Sequence, residues 1–160
     1  MDIDLEKIRR FFAADRFACQ QAGVIIDAVT EDAVQCGMAL TQQHLNAGGG
    51  IQGGAIFTLA DLAFAVHSNL PLFLGTNTGI TVGQSCSISY LAQPRGKRLI
   101  ARSTCLARGK TISVFRVEIH DDLGNFVAEM RGNGVTTGRQ GEARQAPVHR
   151  KTNSGLKPRP

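Results

Sequence analysis

The chain has no stretch approaching the roughly 18 uninterrupted apolar residues that a membrane-spanning helix needs, so no membrane association is expected. Its opening, MDIDLEKIRR, is polar and partly acidic, unlike a secretory leader, and a cytoplasmic location is expected. Metal-ligand spacing is missing too. Cys19, Cys36, Cys86 and Cys105 lie far apart, no two form a Cys-x-x-Cys pair, and no histidine stands ready to complete a site. Reduced thiols and no structural metal are the expectation. The phosphate-binding pattern G-x-x-x-x-G-K-[ST] does not occur, and neither a Ser-His-Asp nor a Cys-His signature of covalent catalysis is apparent.

What is present suffices for one ordinary domain: 160 residues, 42% of them apolar. The formal charge of +5 is unevenly placed. Residues 1–138 carry twelve Lys/Arg and twelve Asp/Glu, which cancel. Residues 139–160 carry six basic residues against Glu142 alone, among Pro, Gly and polar side chains. Such a tail cannot bury enough surface to offset its ordering entropy, and is expected to be disordered. It reads as a solvated extension, with no specific nucleic-acid partner. The domain is therefore placed at 1–138. Inside it, Arg95, Lys97, Arg98, Arg102, Arg108, Lys110 and Arg116 share a stretch without an acid. Exposed strand faces explain that most simply; docking of a polyanionic ligand is the sharper alternative.

The order of elements points to an α+β fold. Leu5, Ile8, Phe11, Phe12 and Ala18 fall at helical spacing, giving an N-terminal helix over about 4–22 that Gly23 stops. VIIDAVTEDAVQCGMAL reads as two short strands joined at Thr30-Glu31-Asp32. AIFTLADLAFAVHSNL is a nearly all-apolar helix ending near Pro71, with no clear polar face and hence buried on most sides. Residues 79–92, 97–109, 111–121 and 125–137 are four β-like runs at hairpin distances, without the crossovers of a parallel sheet. A curved antiparallel sheet wrapped around a central buried helix follows.

Between hairpin and buried helix stands NAGGGIQGG. GGGIQG matches G-x-G-x-x-G literally, but the βαβ context and the later acidic residue of a dinucleotide site are missing. A helix opening at Gly53-Gly54 has two other uses. It can make a tight turn packed on the sheet, or offer backbone N–H groups to an oxygen that gains negative charge. Asp61 favours the second. It sits among Ile56, Phe57, Leu59, Ala60, Leu62, Ala63 and Phe64, where an unpartnered carboxylate would be costly. Thr58 or Ser68 could instead satisfy it structurally. Eight helical residues separate Gly53 from Asp61, about 12 Å along the axis. If both serve one small carbonyl, they must come from two chains related by a two-fold axis.

HLNAGGGIQGGAIFTLAD, with SCSISYLAQPRG and AEMRGNGVTTG, resembles the hotdog-fold acyl-CoA thioesterases of the phenylacetate-degradation, or PaaI-like, family. The resemblance covers most of residues 8–138, and Asn46, Gly53, Gly54 and Asp61 match its pattern. It implies a hotdog fold and hydrolysis of a small or medium acyl-CoA, aryl groups included. The Gly53 N–H would polarise the thioester carbonyl, with Gly54 beside it on the substrate. Asp61 of the neighbouring subunit would act as general base or nucleophile. Asn46 would position water, substrate or leaving sulfur, and Arg108 and Lys110 would meet coenzyme A phosphates. A homodimer or homotetramer with shared sites is implied, and no cofactor beyond the coenzyme A of the substrate. One position departs: Gln52 stands where the family commonly has His. Glutamine orients by hydrogen bonding but does not titrate near neutrality. A non-catalytic acyl-CoA binder is therefore one alternative, and a hotdog hydratase or dehydratase is a weaker one. His44 and His67 are read as structural or solvated.

Overall fold

The computed structural model describes residues 3–137. The basic tail and the boundary at 138 lie outside the described residues. Asp4 opens the first helix, α1 (Leu5–Phe12), by accepting a hydrogen bond from the Lys7 N–H at 2.9 Å. The helix expected over about 4–22 is in fact two pieces. Asp15 starts a second, wider helical turn, Arg16–Gln21, by accepting from the Ala18 N–H. A carboxylate that can cap a new turn competes with continuation of the old one, and spacing of apolar residues does not register that competition.

Strands β1 (Val24–Val29) and β2 (Ala33–Ala39) form the expected hairpin around Thr30, whose hydroxyl accepts from the Ala33 N–H. A short turn, Gln42–His44, and the glycine stretch lead into α2 (Gly53–Ser68) and the brief α3 (Leu70–Phe73). Four strands follow: β3 (Thr81–Tyr90), β4 (Arg98–Arg108), β5 (Ile112–Asp121) and β6 (Phe126–Thr136). All pairings are antiparallel, in the order β1-β2-β4-β5-β6-β3. After β2 the chain crosses the sheet through α2, adds β3 at the far edge, and returns to the middle with β4.

Burial on β5 alternates residue by residue, as expected when one face of a sheet is covered. That face closes over α2. Leu59, Ala60 and Ala63 of the helix meet Met38, Leu99, Phe115, Val117 and Met130 in one core, all without solvent exposure. Phe64 lies where β6 has no side chain in the way: a Cβ on Gly134 would come within 3.3 Å of its ring. At the far end of the sheet the buried Asp121 accepts from the N–H groups of Arg95, Gly96, Leu123 and Asn125, tying two loops together. Burial alone would raise its carboxyl, but these bonds and the Asn125 side chain hold it well below the usual range.

Candidate active site

The central helix has a narrow open stripe. Gly54 and Asp61 are exposed, Thr58 and Ala65 are partly so, and they recur at the four- and three-residue steps of one helical face. This corrects the expectation of a helix without a polar face. It also corrects the reading of Asp61 as a charge buried within one chain. The sequence pattern was misleading because the small residues on the stripe count as apolar while covering little.

Asp61 nevertheless lacks an internal partner. It accepts no hydrogen bond among the described residues. Thr58 donates its hydroxyl to the Gly54 carbonyl at 2.8 Å, and Ser68 donates to Ala65 at 3.2 Å, so neither serves the carboxylate. The side chain opens into a groove of about 510 Å³ between α2 and β3, with Phe57, Phe64, Ser68, Val82 and Cys86 around it. These neighbours exclude enough water to raise its carboxyl above the ordinary range, and the Asp15 carboxylate adds to the shift.

The start of α2 is held from three directions. Gln52 caps it: its Oε1 accepts from the Ala55 N–H at 3.0 Å. A Cβ on Gly54 would fall 2.6 Å from that Oε1, so a side chain there would push the capping oxygen aside. Asn46 organises the preceding turn, with Oδ1 accepting from the N–H groups of Gly48 (2.9 Å) and Gly50 (3.2 Å). Gly49 takes φ +80° in that turn, a conformation glycine supplies without strain. The end of β3 and the residues after it supply the third support. The Tyr90 hydroxyl donates to the Gly53 carbonyl at 3.0 Å, and Gln93 Oε1 accepts from the Ile51 N–H at 2.8 Å. Sequence reasoning did not single out Tyr90 or Gln93. A chain with one tyrosine offered a faint signal, but only the fold brings it to the glycines.

So braced, the N–H groups of Gly53 and Gly54 donate to no protein acceptor among the described residues. They are the free amides of a helix N-terminus, with the positive end of its dipole behind them. Within one chain, however, the named residues do not all meet. Asn46 and Gly53 share a groove of about 370 Å³ with Ile56 and Tyr90. Gln52 and Gly54 face another, of about 570 Å³, with Phe17 and Leu45. Asp61 lies in the groove beside β3, and Arg108 and Lys110 border a fourth cavity at the far end of α2.

Both histidines near the helix are structural. His44 Nδ1 accepts from the Thr41 N–H at 3.0 Å while Nε2 meets the Ala22 carbonyl at 3.0 Å. His67 is fully buried, with Nδ1 3.1 Å from both the carbonyl and the hydroxyl of Ser103. Burial, then the charge of Arg108, drives its pKa down to about 4 against the opposing hydrogen bond to Ser103, so it stays neutral.

An antiparallel sheet closed over one helix whose first amides are open is the hotdog architecture, and its known members extend the comparison. The chain belongs to the thioesterase superfamily, whose family model matches residues 48–128, and within it to the PaaI-like branch. It is 32% identical over 124 residues to the acyl-coenzyme A thioesterase PaaI of Escherichia coli, covering 76% of this chain and 84% of that protein. The solved structure of E. coli PaaI superimposes with a TM-score of 0.70 at 26% identity, over 85% of this chain and 98% of that one. A Haemophilus influenzae thioesterase shares the fold, with a TM-score of 0.77 at 20% identity over 89% of this chain and 96% of that one. A Deinococcus radiodurans protein named "Putative esterase" is 34% identical over 95 residues, 59% of this chain. The match spans 60% of that protein's length and 58% of its Archaeoglobus fulgidus counterpart.

Proposed function

We propose that this protein hydrolyses an acyl-CoA thioester, with a small or medium acyl group and aryl groups included, to the free acid and coenzyme A. One observation carries the reading: an unsatisfied Gly53 N–H and an unpartnered Asp61 lie on one helix, about 12 Å apart along its axis. That distance excludes a single-chain site for one carbonyl. Two copies of α2 running antiparallel bring each Gly53 beside the other's Asp61, and two features of the chain favour such pairing. The open stripe of small residues allows close approach, and β3 is a long sheet edge with Val82 and Tyr90 both about half exposed.

In that arrangement the carbonyl oxygen points at the Gly53 N–H, which stabilises the negative charge of the tetrahedral intermediate. The partner copy's carboxylate at position 61 takes a proton from water as its oxygen bonds to the carbonyl carbon. The C–S bond then breaks, and the proton passes to the departing sulfur. The raised carboxyl makes the group a better base for this proton transfer. Asn46 has Oδ1 committed to the glycine turn, leaving its amide N–H groups to orient substrate or leaving sulfur. Gln52 acts as the cap that fixes the loop. Gly54 lines the substrate path, and the cationic β4–β5 turn, with Arg108 and Lys110, serves as the coenzyme handle. A carboxylate, a water and a backbone amide complete this chemistry without a cofactor. Four unpaired thiols suit a reducing compartment such as the cytoplasm.

The hydratase reading needs a histidine beside an acid, and none of the described histidines, His44, His67 and His120, lines the groove that holds Asp61. The test is thiol release from a panel of acyl-CoAs. Asp61→Asn should lower turnover by roughly a hundredfold or more. Gln52→His should change it by less than about tenfold, on the order of 1.4 kcal/mol. An inert wild type with an active Gln52→His variant would instead favour the acyl-CoA binder, and full activity in Asp61→Asn would refute the mechanism.

A further inference from the structure

The Gly53 carbonyl and the Gly54 N–H belong to one planar peptide unit, so whatever holds the first aims the second. In the ladder of α2 that carbonyl accepts from the N–H four residues on, which occupies one lone pair. The Tyr90 hydroxyl donates to it at 3.0 Å and occupies the other. The ring tip lies against Gly53 itself: a Cβ there would come 3.1 Å from Tyr90 Cζ and 3.3 Å from the phenol oxygen. At the same end of the helix, Ala55 donates to the Gln52 side chain and Ile56 to the Gln52 carbonyl. The N–H groups of Gly53 and Gly54 are left open side by side.

Tyr90 is fixed from behind. It is the last residue of β3, paired with Ala128 of β6. The next two N–H groups, of Leu91 and Ala92, both donate to the Val127 carbonyl, at 2.9 and 3.2 Å. The ring therefore stands on a rigid strand end, while its hydroxyl meets the least constrained peptide of α2, a Gly-Gly unit at a helix terminus. Burial does not explain the bond. Tyr90 is 52% exposed, and a hydroxyl with water at hand has no need of this carbonyl for its own satisfaction. What the contact changes is the peptide.

We infer that Tyr90 is a positioning residue for the reaction: its hydroxyl aims and strengthens the Gly54 N–H, which joins the Gly53 N–H as a second donor to the reacting carbonyl oxygen. The inference rests on the thioester reading for the identity of that oxygen. A carbonyl oxygen has two lone pairs, and as it gains charge both accept more strongly. A hydrogen bond accepted by the Gly53 oxygen polarises its peptide, so the N–H on the other side of that peptide becomes a better donor. Tyr90 touches no substrate atom in this role and acts through the backbone. The benefit is greatest where the oxygen carries most charge, in the tetrahedral intermediate. Loss of the hydroxyl therefore slows the chemistry more than it weakens binding.

Tyr90→Phe in the full chain keeps the ring and removes the hydroxyl, with acetyl-, hexanoyl- and benzoyl-CoA as probes. On the best substrate among them kcat should fall about tenfold, less than for loss of a whole oxyanion donor, while KM stays within about twofold. Light scattering and thermal unfolding should match wild type, because water replaces the lost bond at a half-exposed site. Infrared spectra of a probe labelled at its thioester carbonyl, bound to Asp61→Asn to slow turnover, read the polarisation directly. Binding should lower the carbonyl stretching frequency relative to water, and adding Tyr90→Phe should reverse at least half of that shift. A tyrosine that is only structural would move KM or the unfolding temperature and leave the frequency alone. Wild-type kcat in Tyr90→Phe, a rise in KM alone, or an unchanged frequency overturns the inference while wild-type hydrolysis stands. A wild type that binds the probes without cleaving them refutes the hydrolase reading, and the frequency shift still decides the role of Tyr90. If no probe binds, both fall.

Discussion

The two edges of the sheet are treated differently by the rest of the chain. β1 is six residues long and is covered from outside: Arg9 of α1 donates to the Ile26 carbonyl from Nε at 3.0 Å and from Nη2 at 2.8 Å. A side chain here takes the place a neighbouring strand would occupy. β3 is ten residues long, bonded on one side to β6, and no described element lies along its other side. Val82 and Tyr90 remain about half exposed on it, and Asp61 opens beside it. Unpaired edges invite another chain, and proteins usually block them. Here one edge is blocked and the other, next to the candidate catalytic carboxylate, is left open. The difference teaches that completion of the site and completion of the sheet are the same event in the proposed dimer.

The largest effect should come from closing the open edge. Ser87→Lys places a charge at an exposed position of β3, which the two-fold axis duplicates across the interface. Light scattering should then show monomers, and thioester hydrolysis should fall by more than about a hundredfold as both shared sites are lost. An active monomer would break the argument.

Complementation sharpens the same point. Gly53 occupies the first position of α2, where proline is tolerated, and Gln52 already has ψ 130°, which a following proline accepts. Gly53→Pro removes the N–H that would hold the oxyanion, and should cost on the order of 10²–10³ in turnover. The new Cβ would lie 3.1 Å from the tip of the Tyr90 ring, which must give by a few tenths of an ångström. A purified heterodimer of Gly53→Pro with Asp61→Asn should recover about half of wild-type turnover, because one of its two sites is intact. Recovery absent from a properly assembled heterodimer would place both residues in one chain's site.

Acidity gives a milder perturbation. The raised carboxyl of Asp61 must be ionised to accept a proton from water. The rate kcat/KM should therefore fall as pH drops through that pKa, about tenfold per unit, with the limb above the ordinary aspartate value of about 3.9. A limb at or below that value would contradict the environment described for Asp61. For stability the sign is opposite to that of a salt-bridged acid: a raised folded-state pKa favours the native state at low pH, and that contribution is lost as pH rises through the folded value.

The smallest effect belongs to the covered edge. Arg9→Ala removes charged hydrogen bonds from a partly exposed site, worth about 1 kcal/mol after allowance for solvent. Thermal unfolding should shift by a few degrees, while turnover per active dimer stays unchanged. A loss of activity matching that of Ser87→Lys would mean that the two edges are not distinct.

Much of this was legible beforehand. The four C-terminal strands lie within one or two residues of their expected limits, because each turn carries its own residues: Pro94-Arg95-Gly96, Gly109-Lys110, Asp122-Leu123-Gly124. Asp61 stood out as the one acid in an apolar helix, and Gly53 as the start of that helix. Other features were not legible. Tyr90 and Gln93 reach the glycine turn from positions 37 and 42 residues away in sequence, and no local pattern encodes that contact. The exposed stripe of α2 was hidden because glycine, threonine and alanine carry little polarity to set against the apolar face.

The sequence by itself determined the elements and their class, since hydrophobic period, caps and turn residues act within a few positions along the chain. It also determined the distance from Gly53 to Asp61, because helical rise is fixed. Tertiary structure alone decided that Asp61 faces an open groove, that Gln52 is spent on a cap, and that Tyr90 reaches the Gly53 carbonyl. Those outcomes depend on which surfaces the curved sheet leaves uncovered, and coverage is a property of the assembled packing rather than of any segment.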